Sequence, residues 1–331
     1  MTVLLGDAAV RQVSNMGAIV KGIESALVAE GRGGSLVMPP RQNLTLGNSF
    51  LRVMPVIMGG AGVFGLKMFQ GSLERGVRYL VLLCDIESAD VLAVLDGAYL
   101  TAVRTGATSA LATSYMARPD ATTVGVIGSG LEAETNLLAT CTVREVERVK
   151  VFSPRAHRRE GFARRMSETL GIEVDPVDEP QAAVADMDIV VIATNTGPGG
   201  PVAYQGEWAE PGQHISSIGS TTPQLREIDV PTFVRADLIV YDLAPAIMAE
   251  ESGDVLAFSH ADPANHERTL TLQDLLLDTS VAAPGQDTIS LYKSVGAAVQ
   301  DIACALAVYE QAIQLGVGQT VDPVAILKSF G

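Results

Sequence analysis

The sequence predicts an α/β fold in two parts, and three observations predict it. First, Val124-Gly125-Val126-Ile127 is a short apolar run that leads into Gly128-Ser129-Gly130-Leu131-Glu132-Ala133, and a helical pattern continues from Leu131 to Thr142. Second, strand-like and helix-like segments alternate after this stretch, which is the pattern of a parallel sheet covered by helices. Third, residues 35–95 read as successive strands broken by turns, with a helical segment before them.

The Gly-x-Gly-x-x-Ala pattern, placed between strand and helix, is the fingerprint of a Rossmann dinucleotide-binding domain. Gly128 permits the sharp turn. Gly130, lacking a Cβ, lets a pyrophosphate approach the backbone, and Ala133 keeps the helix close to the strand. The free N–H groups at the helix start then face the phosphates. Gly128, Ser129, Gly130, Leu131 and Glu132 are therefore expected at the cofactor.

The remaining elements follow in order. Residues 7–30 carry a helical stripe of Val10, Val13, Ile19, Val20, Ile23, Ala26 and Leu27, ended by Gly31, Gly33 and Gly34. Strands are expected at 51–56, 63–69, 79–84 and 91–95, then a turn at Asp96-Gly97 and a helix over 98–117. Arg118-Pro119-Asp120 breaks that helix and sets a domain boundary. Strands at 149–152, 172–174, 188–193, 214–218 and 238–241 follow the fingerprint, with an arginine-rich helix over 156–170. The last helix, 288–315, follows Ala282-Ala283-Pro284-Gly285 and returns to the first domain. The expected division is thus 119–287 for the nucleotide and 1–118 with 288–331 for the substrate.

Composition bounds the function. The chain has 331 residues, 47% of them hydrophobic and 18% charged, enough for two domains. A net charge of −15 argues against non-specific nucleic-acid binding. No apolar run is long enough to cross a membrane, and the first residues lack the pattern of a secretory signal. Cys84, Cys141 and Cys304 are far apart in apolar surroundings, as expected of thiols in a reducing, cytoplasmic setting. His260, Asp262, His266 and Glu267 cluster in a Pro-interrupted segment that reads as a solvated loop, so no metal site is expected.

The first domain must supply the chemistry, and its candidates are Arg41, Arg52, Lys67 and Arg104. Lys67 stands in Val63-Phe64-Gly65-Leu66-Lys67-Met68-Phe69, an otherwise apolar strand. It either snorkels to water or occupies a site that lowers its pKa. Arg104 opens the small-residue run Thr105-Gly106-Ala107-Thr108-Ser109-Ala110, which would let a ligand approach closely. It either grips a carboxylate or forms a surface ion pair.

Taken together, these motifs resemble the ornithine cyclodeaminase/mu-crystallin family over nearly the whole chain. The marks are Met38-Pro39-Pro40-Arg41, Arg52-Val53-Met54-Pro55, Gly65-Leu66-Lys67 and Leu95-Asp96-Gly97 with Leu100-Thr101-Ala102-Val103-Arg104-Thr105. The fingerprint follows, then Ile218-Gly219-Ser220 with Pro223, and Tyr292-Lys293-Ser294-Val295-Gly296 with Asp301. The resemblance implies NAD(P)-dependent redox chemistry at a carbon bearing an amine or imine beside a carboxylate, in a homodimer built through the non-nucleotide domain. It casts Arg41 and Arg104 as the carboxylate clamp and Lys67 as the polar group at the reacting nitrogen. Thr194, Gly219 and Ser294 join the expected cofactor contacts.

Two departures narrow the activity. Ornithine cyclodeaminases resemble one another in carrying an aspartate two residues before the loop proline, where this chain has Thr221, and threonine is no general base at neutral pH. They also carry an acid three residues before the Met-Pro proline, where this chain has Arg52, a cation that would repel a side-chain amine. Arg52 either meets a second, acidic end of the substrate or pairs within the fold. The favoured expectation is an α-amino acid dehydrogenase or ketimine reductase. A cyclodeaminase with bound NAD and a non-catalytic, NADPH-dependent ligand-binding protein like mu-crystallin are the alternatives.

The cofactor expectation rests on the strand ending at Phe152. An NAD enzyme usually places an acid there for the ribose hydroxyl. Here the strand runs into Ser153-Pro154-Arg155-Ala156-His157-Arg158. Ser153 can bond a 2′-phosphate, and Arg155 and Arg158 can neutralise it, so NADP(H) is favoured over NAD(H).

Overall fold

A computed structural model describes residues 1–72, 74–282 and 284–328. By contacts the chain forms two units, 1–104 with 297–331, and 105–296. The first begins with β1 (Thr2–Leu5), α1 (Asp7–Val13) and α2 (Met16–Gly31). The single helix expected over 7–30 is two, because Asn15 leaves helical geometry and its side chain caps α2 by accepting the Ala18 N–H at 3.0 Å. There follow β2 (Leu36–Val37), β3 (Gln42–Leu46), β4 (Ser49–Met58), β5 (Val63–Ser72), β6 (Gly76–Asp85) and β7 (Val91–Asp96). β3 to β7 pair antiparallel in sequence order, whereas β1 joins β7 in parallel.

The first division falls inside α3 (Gly97–Met116), a helix that continues past it, rather than at Arg118-Pro119. Gly97 begins this helix instead of completing a turn before it. The second unit then runs β8 (Thr123–Ile127), α4 (Leu131–Val143), β9 (Arg148–Phe152), α5 (Ala156–Leu170), β10 (Glu173–Pro176), α6 (Pro180–Val184) and β11 (Ile189–Ile192). It continues with β12 (His214–Ser217), α7 (Val230–Arg235), β13 (Leu238–Tyr241), α8 (Pro245–Glu251), α9 (Gly253–Ala261), β14 (Thr269–Thr271), α10 (Leu272–Leu277) and β15 (Ser290–Lys293). The strand order is β10-β9-β8-β11-β12-β15-β13-β14, with every pairing parallel. Such a sheet is covered on both faces, which is why Ile189-Val190-Val191-Ile192 is apolar at every position and fully buried.

β15 corrects the expected helix over 288–315. Ser290-Leu291-Tyr292-Lys293 is a buried strand between β12 and β13. Its apolar residues run on into the next helical stripe, so periodicity alone merged the two. Gly296, at φ +83°, separates them. The helix proper is α11 (Ala298–Leu315), and with β16 (Gln319–Val321) it belongs to the first unit. There the sheet order is β16-β1-β7-β6-β5-β4-β2, with β3 also on β4.

α11 packs on β4, β5 and β6. Gly65 on β5 makes this approach close: a Cβ there would lie 2.8 Å from Ile302 Cδ1 and 2.3 Å from the Leu82 carbonyl. In the second unit, Gly106 of α3 plays a similar part, since a Cβ would lie 2.5 Å from the Thr135 carbonyl of α4. The small residues after Arg104 therefore include one that serves helix packing rather than the expected approach of a ligand.

Candidate functional site

The second unit holds a cleft of about 830 Å³ at the end of β8. Gly128, at φ +130°, makes the turn, and a Cβ there would lie 2.2 Å from the Ala193 carbonyl. A Cβ at Gly130 would meet no protein atom, so packing does not demand that glycine. Gly130 caps α4 without a side-chain hydrogen bond, leaving its first N–H groups to a ligand. Ser129, Leu131, Glu132, Thr194 and Gly219 line the same cleft, as do Ser153, Arg155 and Arg158. Ser129 Oγ donates to Ser153 Oγ at 2.8 Å, so the glycine turn and the tip of β9 are joined. Arg159 is not among the lining residues; it pairs with Asp178 and donates to the Ser153 carbonyl at 3.2 Å, bracing the tip of β9. The turn, the helix start and the hydroxyl–guanidinium group fit a dinucleotide phosphate set.

Ser294 is not among the residues lining the cleft. Its hydroxyl donates to Asp242 Oδ2 at 2.6 Å, and the Val295 and Gly296 N–H groups donate to the same carboxylate.

The first unit holds the predicted cations. Lys67 is 2% exposed, which rules out the snorkelling reading. Its Nζ donates to Asp301 Oδ1 at 2.8 Å, and Arg104 Nε donates to the same oxygen at 2.9 Å. Arg104 also reaches Gln300 Oε1 at 3.2 Å and is buried rather than a surface ion-pair residue. Burial lowers the Lys67 pKa from its ordinary 10.5 to about 8; Asp301 opposes the shift, while Arg104 and Arg41 add to it. Arg41 is thus electrostatically coupled to Lys67 and is partly buried. Arg52 Nε donates to Asn43 Oδ1 at 2.5 Å, and its guanidinium carbon lies 5.2 Å from the Phe69 ring centroid.

Asp301 is the residue that sequence reasoning noted only as a family mark. It sits 234 positions from Lys67, so no local spacing could have joined them. A second buried cluster was not foreseen, although its lysine stood among the family marks. Lys293 on β15 lies 2.9 Å from Ser217 Oγ, 3.3 Å from Asp254 Oδ2 and 3.5 Å from Glu227 Oε1. Glu227 also accepts from Gly219 N–H at 2.5 Å and from Thr194 Oγ1 at 2.9 Å, so it fixes two residues that line the cleft. Gly219 is required by close packing, because a Cβ there would lie 2.2 Å from the Thr194 carbonyl and 2.2 Å from Glu227 Oε2.

The weaker sequence features carry little. Trp208 packs edge-on against Tyr204, with centroids 5.8 Å apart. No group of three or more His, Cys, Asp or Glu among the described residues could hold a metal ion, and the His266 side chain lies outside those described. No helix of the described residues is long and apolar enough to cross a membrane.

Comparison with known proteins places the chain among NAD(P)-linked enzymes of one family. The model of the ornithine cyclodeaminase/mu-crystallin family matches residues 1–315. A Δ1-pyrroline-2-carboxylate reductase from Bacillus cereus is 29% identical over 300 residues, covering 87% of this chain and 88% of its own. The Thermococcus litoralis Δ1-pyrroline-2-carboxylate reductase, solved with NADH and L-proline, superposes with a TM-score of 0.88 at 29% identity, covering 96% of this chain and 100% of that one. An archaeal alanine dehydrogenase dimer with bound NAD gives 0.86 at 28% identity, covering 97% and 99%.

Proposed function

The chain belongs to the ornithine cyclodeaminase/mu-crystallin family, and on that premise we propose that it is an NADP(H)-dependent oxidoreductase acting on the C=N bond of an α-imino acid or, in reverse, on the CH–NH₂ group of an α-amino acid. The observation that carries this reading is the buried Lys67–Asp301–Arg104 cluster. A bound nicotinamide supplies or accepts the hydride. Lys67 donates a hydrogen bond or proton to the substrate nitrogen, which makes the imine carbon a better hydride acceptor and stabilises the amine formed. In the oxidative direction the neutral lysine takes up that proton. Asp301 orients the ammonium, and Arg104 and Arg41 hold the α-carboxylate and thereby position the reacting carbon.

NADP(H) is the favoured cofactor because Ser153, Arg155 and Arg158 gather at the tip of β9 in the cleft. We also infer a homodimer through the first unit. By register, Leu44, Leu46, Ile57 and Leu80 share the sheet face opposite Lys67, and all four are exposed. The free cysteines fit a cytoplasmic enzyme.

The test is NADPH oxidation with a panel of α-keto acids and either ammonia or methylamine. Turnover should depend on both amine and acid, and NADPH should bind more tightly than NADH. Arg155→Asp should move the NADPH-to-NADH affinity ratio about 10- to 150-fold toward NADH, as expected for one charge-assisted bond. No cofactor oxidation with any pair would overturn the reading. Ammonia release from a diamino acid without net cofactor change would replace it with cyclodeamination.

A further inference from the structure

Glu227 has no part in the chemistry proposed above, yet it is built into the wall of the cofactor cleft. Its side chain is buried, and both carboxylate oxygens are in use. Oε1 accepts the Gly219 N–H at 2.5 Å and the Ser217 hydroxyl at 2.7 Å. Oε2 accepts the Thr194 hydroxyl at 2.9 Å and the Thr194 N–H at 3.2 Å. Thr194 stands two residues past the end of β11 and Gly219 two past the end of β12, and both line the cleft. Lys293 bonds to Ser217, and Asp254 accepts from the Glu227 and Ile228 N–H groups. Among the described residues, neither of these charged side chains bonds to Thr194 or Gly219. The cluster therefore turns its negative end to the cleft.

The sheet order relates this carboxylate to one half of a dinucleotide. Neighbouring strands run β9-β8-β11-β12. Ser153, Arg155 and Arg158 follow β9, and the glycine turn follows β8. A dinucleotide lying across the strand ends has its adenosine half on the β9 side of that turn and its nicotinamide half on the β11 side. The nicotinamide ring is neutral when reduced and cationic when oxidised. A buried carboxylate acts on that difference, because a charge set in a water-poor wall is weakly screened. Asp254 is the weaker charge of the pair, since burial raises its pKa.

We propose that Glu227 is a positioning residue for the nicotinamide half of the cofactor: through Thr194 and Gly219 it fixes the wall that this half meets, and its charge favours the oxidised ring. Reduction of an imine leaves the cofactor oxidised, so such a cleft draws the equilibrium among bound species toward the amine. The proposal rests on the reading that the chain uses a nicotinamide cofactor, and the experiment separates failure of the two. It is equilibrium binding without turnover, of NADP⁺ and NADPH and in parallel of NAD⁺ and NADH, to the parent, Glu227→Gln, Glu227→Asp and Asp254→Asn. The parent should bind the oxidised form at least as tightly as the reduced one. Glu227→Gln should raise the ratio of oxidised to reduced Kd about 5- to 30-fold, the effect of one unit charge roughly 8 to 16 Å away at the screening of a protein wall.

The other variants separate charge from scaffolding. Glu227→Asp keeps the charge, so the ratio should stay within about twofold of the parent whatever affinity both forms lose. Asp254→Asn should move the ratio less than Glu227→Gln does. Should Glu227→Gln fail to fold, the double variant Glu227→Gln/Lys293→Met leaves no unpaired buried lysine, and its ratio should rise in the same direction. A parent that binds the reduced form about tenfold more tightly, equal losses for both forms in the variant that lacks the Glu227 charge, or an equal shift in Asp254→Asn overturns the proposal while the oxidoreductase reading stands. If the parent binds neither cofactor pair, both fall.

Discussion

Lys67 and Lys293 are both buried on β-strands and both reach carboxylates, yet the two clusters are balanced in opposite ways. Around Lys293 one buried cation faces two carboxylates, Glu227 and Asp254, with the more exposed Arg226 at the edge, 3.9 Å from Asp254 Oδ1. Glu227 accepts from a serine hydroxyl, a threonine hydroxyl and two backbone N–H groups. Asp254 Oδ1 accepts the Glu227 and Ile228 N–H groups, and burial raises its pKa. Around Lys67 one carboxylate faces two cations, both on Oδ1; Asp301 Oδ2, like Asp254 Oδ2, has no hydrogen-bond partner among the described residues. The first arrangement ties strand ends together. The second keeps a lysine whose proton is easily moved, with its pKa lowered toward neutrality. The two buried lysines therefore differ in the ratio of buried cations to carboxylates around them, not in burial itself.

Substitution of each lysine by methionine should break the comparison most sharply. Lys67→Met should lower kcat/KM about 10²- to 10⁴-fold, the range for losing a general acid. It should leave the urea unfolding midpoint nearly unchanged, because Arg104 still pairs with Asp301. Turnover within about fivefold of the parent would return Lys67 to a structural role. Lys293→Met should do the opposite where stability is concerned, removing the one buried cation from Glu227 and Asp254 and leaving Asp254 only the distant Arg226, at a cost of about 3–5 kcal/mol, read from urea unfolding. A loss below about 1 kcal/mol would show that the hydrogen bonds of Glu227 suffice.

The smallest effect is a shift in the pH profile. Lys67 must be protonated to assist reduction, so reductive kcat should fall as pH rises through about 8, and oxidative kcat should rise through the same region. Asp301 raises the Lys67 pKa against the larger effect of burial. Asp301→Asn should therefore move both limbs to lower pH. Profiles that coincide for parent and variant would separate the titrating group from Lys67.

The sequence made some of this legible for definable reasons. The fingerprint was readable because each glycine has a local backbone task, and Lys67 because a lone cation on an apolar strand violates the pattern around it. That Ser153, Arg155 and Arg158 at the tip of β9 line the cleft was readable because they directly follow a strand end. Asp301, Glu227 and Asp254 were not, because each acts on a partner that only tertiary structure brings near. β15 was hidden for another reason: Leu291 and Tyr292 continue without a break in apolarity toward α11, and a four-residue buried strand has too few positions to establish a period.

The split of the first unit has a consequence for biosynthesis. Lys67 leaves the ribosome long before Asp301, which lies 234 residues downstream. At common rates of chain elongation that interval lasts roughly 10–50 s. Throughout it β4, β5 and β6 lack the helix that covers them, so the lysine and its apolar neighbours face solvent or whatever chaperone attends the nascent chain. The sheet that carries Lys67 begins first and is completed last, after all eight strands of the other unit's sheet have emerged.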